Sequence, residues 1–275
     1  MTKCEQLATF GLGQNPSAIR TSPDTAVVLS NTKLTLLNTN LITITSQQDL
    51  PFCHHRSHIC HFRGDIYFCR GNHFIKIDVN NGGFVDDIIT LNASSVFSVL
   101  EIDNDVLVSS DRGLFLLSSP DFCIFDPLMA GALFKKDDQV YLLYYKSIYK
   151  LDVKLKTLRS YFTFSFCIDH ASCFLDGDEL VLFGPHSASS SIYRFNFTSF
   201  KVAQTNQLPF SLKSSAILEL DDSLLVINHA GTKCAKVEKL HSKGTKREKF
   251  DIIIEGDLNQ AFSNKMISQD IIHSP

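Results

Sequence analysis

An acidic turn followed by a short apolar strand recurs along this 275-residue chain, and that recurrence constrains its fold more than any other feature. It stands at Asp24 before residues 26–29, at Asp65 before 66–68, and at Asp105 before 106–108. It returns at Asp138 before 140–143, at Asp178 before 180–183, and at Asp222 before 224–227. The successive spacings are 41, 40, 33, 40 and 44 residues, and a weaker instance at Asp270 follows 48 residues later. A period of that length marks supersecondary units that stack, because none can bury its apolar face alone.

Residues 63–89 hold the best-preserved unit. Gly64-Asp65 turns into a strand over 66–69, Arg70-Gly71-Asn72 turns into one over 73–79, and 80–83 turn into one over 84–89. The strand after each acidic turn is almost wholly apolar, which predicts cover on both faces. The strand after that, as at 74–78, 148–152 and 192–196, alternates apolar with polar and predicts a half-exposed position. A further strand lies upstream of each turn, for example at 58–63, 96–102, 133–136, 171–175 and 216–220. No segment shows helical periodicity, so each period of about 40 residues holds four strands.

This arithmetic resembles a β-propeller over nearly the whole chain. Ile148-Tyr-Lys-Leu-Asp152 and Phe74-Ile-Lys-Ile-Asp78 are similar to the third strand of kelch-like and quinoprotein-like blades. The Trp-Asp ending of WD40 blades is absent, the chain has no tryptophan, and Gly82-Gly83 lies in a later turn than the kelch glycine pair. The resemblance is therefore to the superfold and assigns no family. It implies an all-β chain forming one propeller domain over 1–275. The four-stranded repeats fall near 17–47, 57–90, 95–126, 129–165, 169–206 and 212–254. Residues 255–275 and 1–12 are expected to close a seventh blade, with strands at 260–264, 270–273 and 4–10; six blades is the competing count.

In a propeller blade the turns joining strands one–two and three–four share one face. The two–three turns and the blade junctions share the other. The first face then collects the acidic turns and is expected to be acidic, although Asp and Asn are also ordinary turn formers. The second collects His54, His55, Arg70, His73, Arg112, Lys146, His186 and His229. Loops on a rigid scaffold carry recognition, so His54, His55, Arg70, His73, Arg112, His186 and His229 are the candidate partner-binding residues.

Chemistry is sparse elsewhere. Cys53, His54, His55, His58, Cys60 and His61 are zinc-ligand types, but their spacing matches no finger and no metal is assigned. Asp169, His170 and His58 sit where a channel mouth is expected, with Glu101 and Glu219 as the channel carboxylates; no nucleophile motif or cofactor fingerprint accompanies them. Lys243, Lys246, Arg247 and Lys249 form a basic hairpin that suits RNA or a ribonucleoprotein, or merely protects a sheet edge. A net charge of −3 and a pI near 6.3 exclude a generally polyanion-coating surface. No apolar run reaches 18 residues, no leader is evident, and the eight scattered cysteines suit reduced thiols, so cytoplasm or nucleus is expected, away from membranes. The reading is a non-catalytic scaffold that binds other protein subunits in an intracellular protein or ribonucleoprotein assembly, without a cofactor. A small propeller enzyme, or a small-molecule or metal binder using the channel mouth, is the alternative.

Overall fold

Short hairpins build the molecule. A computed structural model describes residues 16–30, 32–40, 43–49, 57–79, 83–125, 131–168, 171–185, 190–208, 210–221, 223–228, 234–238, 250–253 and 267–269. The first sheet contains β1 (Ser17–Ser22), β2 (Thr25–Leu29), β3 (Lys33–Asn38) and β4 (Thr43–Asp49). The second contains β5 (Ser57–Phe62), β6 (Asp65–Arg70), β7 (His73–Asp78) and β8 (Gly83–Thr90). The third contains β9 (Val96–Ile102), β10 (Asp105–Ser110), β11 (Gly113–Leu116) and β12 (Ser119–Phe125). The fourth contains β13 (Ala132–Lys136), β14 (Gln139–Tyr144), β15 (Ser147–Asp152) and β16 (Thr157–Thr163). The fifth contains β17 (Ser172–Asp176), β18 (Glu179–Phe183), β19 (Ser191–Asn196) and β20 (Val202–Gln207). The last contains β21 (Ala216–Glu219), β22 (Ser223–Ile227), β23 (Cys234–Glu238), β24 (Phe250–Ile253) and β25 (Ile267–Gln269). Each sheet is an antiparallel meander, and five have the regular four-stranded form of a propeller blade.

The acidic turns are the tight ends of the first hairpins. Ile102 pairs with Asp105, Lys136 with Gln139, and Asp176 with Glu179, so two residues make each turn. Arg63 (φ 54), Asp103 (φ 49), Asp137 (φ 53) and Gly177 (φ 59) take a left-handed backbone at the first turn position, matching the right-handed twist of the flanking strands. Gly and Asp are the residues that accept this conformation most cheaply.

The second strand of each sheet is covered on both faces, as its composition predicts: Ala26–Leu29 of β2 and Leu180–Phe183 of β18 are all buried. The fourth strands are exposed, β16 being half-buried or open throughout. Neighbouring sheets pack through apolar clusters, such as Leu107 and Leu114 against Leu133, Val140 and Leu142. A further cluster packs the last sheet on the first, with Leu218, Leu225 and Ile227 against Ala26, Val28 and Leu37.

The expected seventh blade is corrected. Among the described residues there is no seventh sheet, and β25 instead pairs antiparallel with β24 as a fifth strand of the last sheet, Ile267 opposite Ile252. The outer edge of β24 offers a row of backbone donors and acceptors close along the chain, and an added strand satisfies them. The strands expected at 4–10, 260–264 and 270–273 lie outside the described residues.

Candidate functional site

The innermost strands converge on a cavity of about 600 Å³ lined by Ala18, His58, Ser98, Ala132, Ser172 and Ala216, one from each of β1, β5, β9, β13, β17 and β21. These positions lie at or near the strand starts, so the cavity opens where the blade junctions enter. Its described lining contains no carboxylate, lysine or arginine; serines supply much of its polarity. Ser98 accepts the Leu133 N–H at 3.0 Å, and Ser172 donates to the Ser215 carbonyl, each bond joining adjacent sheets. Cys173, also at the wall, has its thiol pushed up to about 12 by burial and stays protonated. The arrangement suits an uncharged group that exchanges hydrogen bonds with hydroxyls; it does not present an acid–base pair among the described residues. Of the expected mouth residues, His58 lines the cavity, while Asp169 and His170 lie outside the described residues.

The rim of this mouth carries the two–three turns. His73 is exposed, with Nδ1 2.9 Å from Thr90 Oγ1. Arg70 is half-buried directly opposite it at the end of β6. Arg112 is exposed, and its Nη1 donates to Asn92 Oδ1 at 3.2 Å. His54, His55, His186, His229, Lys243, Lys246, Arg247 and Lys249 lie outside the described residues.

Two rim residues escaped the sequence reading. Asp111 accepts the Ser94 and Ser95 N–H groups at 2.9 and 3.0 Å. Burial pushes its carboxyl up, but the bonds from Ser95 and Ser94 outweigh this and hold it below the usual aspartate range. A carboxylate thus sits beside Arg112, and the rim is not uniformly basic. Tyr145 is 54% exposed although its φ is 54, a conformation bulky side chains avoid. Its carbonyl accepts the Ile168 N–H at 2.7 Å, and the Lys146 carbonyl accepts that of Phe164 at 2.7 Å, so the junction after β16 holds the turn in place. Lys146 Nζ lies 5.5 Å from the Tyr145 ring centroid, a cation–aromatic pair facing outward. The only sequence signal was Tyr-Tyr-Lys where neighbouring units have Gly or Asp.

The opposite face corrects the expectation of an acidic ring. Asp221 pairs with Arg20 at 2.6 Å, Asp103 with Lys135 at 3.5 Å, and Asp178 with Lys136 at 2.8 Å, each across a sheet boundary. Asp65 pairs with Lys76 at 2.8 Å within its own sheet. Glu101, expected in the channel, accepts the His61 N–H at 2.6 Å and lies 3.1 Å from its Nδ1. The Glu101 hydrogen bond raises the His61 imidazole above its ordinary value. Burial pushes the Glu101 carboxyl up, but the His61 bonds prevail and hold it below its ordinary value. Of the Cys/His cluster, Cys53 lies outside the described residues and Cys60 is buried, its thiol pushed up to about 12 by desolvation.

No protein-family model matches the chain, and no curated protein matches it. Solved structures do. The chain is similar to PorZ, a surface component of the type-IX secretion system of Porphyromonas gingivalis, at 10% identity and TM-score 0.49, covering 96% of this chain and 39% of that one. It is similar to Kluyvelomyces marxianus Hsv2 at 12% identity and TM-score 0.50, covering 90% of this chain and 76% of that one. The chain thus spans about two fifths of the PorZ chain's length. Fold and comparison together define a β-propeller of four-stranded blades; likeness at these identities carries the fold alone.

Proposed function

We propose that this chain is a non-catalytic docking platform, a propeller closed as six blades, whose mouth rim binds another protein subunit of an intracellular assembly. The five-stranded sheet serves as the sixth blade, and its packing against the first supports the closure. The observation that carries the docking reading is Tyr145. It is a half-exposed tyrosine held in a left-handed turn, beside Lys146 and on the same rim as Arg112, and its ring belongs to none of the apolar clusters among the described residues. Tyrosine and arginine are the side chains that anchor protein interfaces. Arg70 and His73, and from the sequence His54, His55, His186 and His229, extend the same rim. Contact with RNA or a ribonucleoprotein through Lys243, Lys246, Arg247 and Lys249 belongs to the same proposal. The eight cysteines scattered along the sequence suit a reducing compartment, cytoplasm or nucleus.

The test is affinity purification from the native cell with wild type and Tyr145→Asn/Arg112→Glu, since Asn tolerates the turn. The variant is expected to retain its stoichiometric partner at least about tenfold less, as loss of two anchors implies. Equal retention, or a chain that purifies alone at its own mass, would overturn the reading. A second reading is favoured by the cavity: a small uncharged ligand seated among its serines. Ligand density in the mouth, or a metabolite released from the natively purified protein, would support it over docking.

A further inference from the structure

The outer rim between the fourth and fifth sheets presents a second surface of different character. Lys150 on β15 and Arg159 on β16 stand directly opposite each other, both exposed. Like charges in that register repel. Among the described residues neither has a carboxylate within ion-pair distance, whereas the cations Lys135, Lys136 and Arg194 nearby all do. The irregularity in register between Ile148 and Tyr149 then brings Tyr161 and Phe162 both against the fifth sheet. Tyr161 packs 5.5 Å from Phe200, which lies in the turn after β19.

Phe200 is 49% exposed and has φ 54, fixed by its N–H bonding to the Asn196 carbonyl at 2.9 Å. Its ring rests on Tyr161 and, at 6.3 Å, on the buried Phe195. An aromatic held outward in a strained turn, and packed on Tyr161 two residues along β16 from Arg159, is a hydrophobic seat with an anion clamp on the same strand pair. β16 is also the outermost strand of its sheet, and among the described residues no strand pairs its outer edge.

We infer that this rim binds an extended acidic segment of a partner protein, with an apolar side chain on Phe200 and Tyr161 and a carboxylate between Lys150 and Arg159. In an extended peptide, alternate residues face one side, so the matching pattern is acidic–x–aromatic. The guanidinium fork of Arg159 takes a carboxylate oxygen pair, and Lys150 adds a point charge. A protein segment fits better than a nucleic acid: one lysine and one arginine beside one aromatic seat are too few to follow a phosphate backbone. The inference rests on the docking-platform reading but uses a surface separate from the mouth.

Fluorescence anisotropy on the full chain tests it, using a labelled Gly/Ser peptide containing Glu-x-Phe-x-Glu. Control probes are the same peptide with Lys-x-Phe-x-Lys, one with Glu-x-Ser-x-Glu, and an oligouridylate. The acidic aromatic peptide is expected to bind best. Lys150→Glu/Arg159→Glu is expected to weaken it at least about tenfold and to gain affinity for the lysine peptide. Phe200→Asn, whose new side chain accepts a positive φ, is expected to weaken it by a similar factor with the melting temperature unchanged. No saturable binding up to about 1 mM would overturn the inference. So would tighter binding of oligouridylate lost in the same variants, or variants that aggregate while binding is unchanged, which would make the cations edge protection only. If the peptide fails while the mouth variant still loses its partner, only the rim inference falls.

Discussion

Arg194 offers the sharpest test of how a blade is held. Its side chain is 8% exposed, and Nη1 lies 3.2 Å from Asp176 Oδ2 and 3.0 Å from Glu179 Oε2, side chains 13% and 33% exposed. One cation from β19 thus ties together the end of β17 and the start of β18. Arg194→Met keeps the apolar stem but strands two carboxylates that were brought together around the charge. Breaking a buried pair in this way costs about 3–5 kcal/mol; the partial exposure of Glu179 screens part of that, so about 3 kcal/mol is expected. For a chain of this size that is roughly 6–12 °C in melting temperature. Adding Asp176→Asn and Glu179→Gln removes the stranded charges and should restore about half of the loss. Urea unfolding followed by far-UV circular dichroism is the assay, because the chain has no tryptophan to report by fluorescence. A loss below about 1 kcal/mol, or a triple variant no more stable than Arg194→Met, would refute the reasoning.

Two further outcomes are expected. Gly184 and Gly71 both have φ 63, but a Cβ on Gly184 would lie 2.6 Å from the Leu212 carbonyl carbon while one on Gly71 meets nothing within 4 Å. Thermal melts should therefore show Gly71→Ala costing about 1 kcal/mol and Gly184→Ala at least about twice that. The His61–Glu101 pair should contribute below about 1 kcal/mol, since its side chains are 37% and 47% exposed. His61 is raised above 6.5, so its share is complete below that pH and fades as pH rises through the raised value. Glu101 is lowered from 4.5, so its share is complete above that pH and fades as pH falls through the lowered value. The melting-temperature gap between wild type and Glu101→Gln should accordingly be widest between about pH 4.5 and 6.5 and close on either side.

The turns and strands were legible because their causes are local. A two-residue turn favours Gly or Asp at its left-handed position, although Arg63 fills one of them, and a strand covered on both faces needs an unbroken apolar run, so 26–29 and 180–183 announce themselves. Pairing choices at the end of the chain were not local: a strand's own residues at 267–269 do not say whether they add to β24 or start another sheet. The charges misled for the same reason. Asp178 looks like part of an acidic face until the fold brings Lys136 across from the neighbouring sheet. Tyr145 and Phe200 were invisible because nothing in a tyrosine or phenylalanine marks a left-handed backbone; only the surrounding hydrogen bonds impose it.

The apolar cluster that joins the last sheet to the first has a consequence for biosynthesis. Among the described residues every other inter-sheet cluster connects neighbours along the chain and can form as the polypeptide emerges. Leu37 and Ala26, by contrast, wait for Leu218 and Ile227, about 200 residues downstream. At a ribosomal pace of roughly 5–20 residues per second, that face of the first sheet stays uncovered for tens of seconds at the slower rate. During that interval the nascent chain displays a ready apolar surface to chaperones or to other nascent copies. The yield of folded protein should therefore depend on how quickly residues 216–227 arrive, more than on the strength of any single blade.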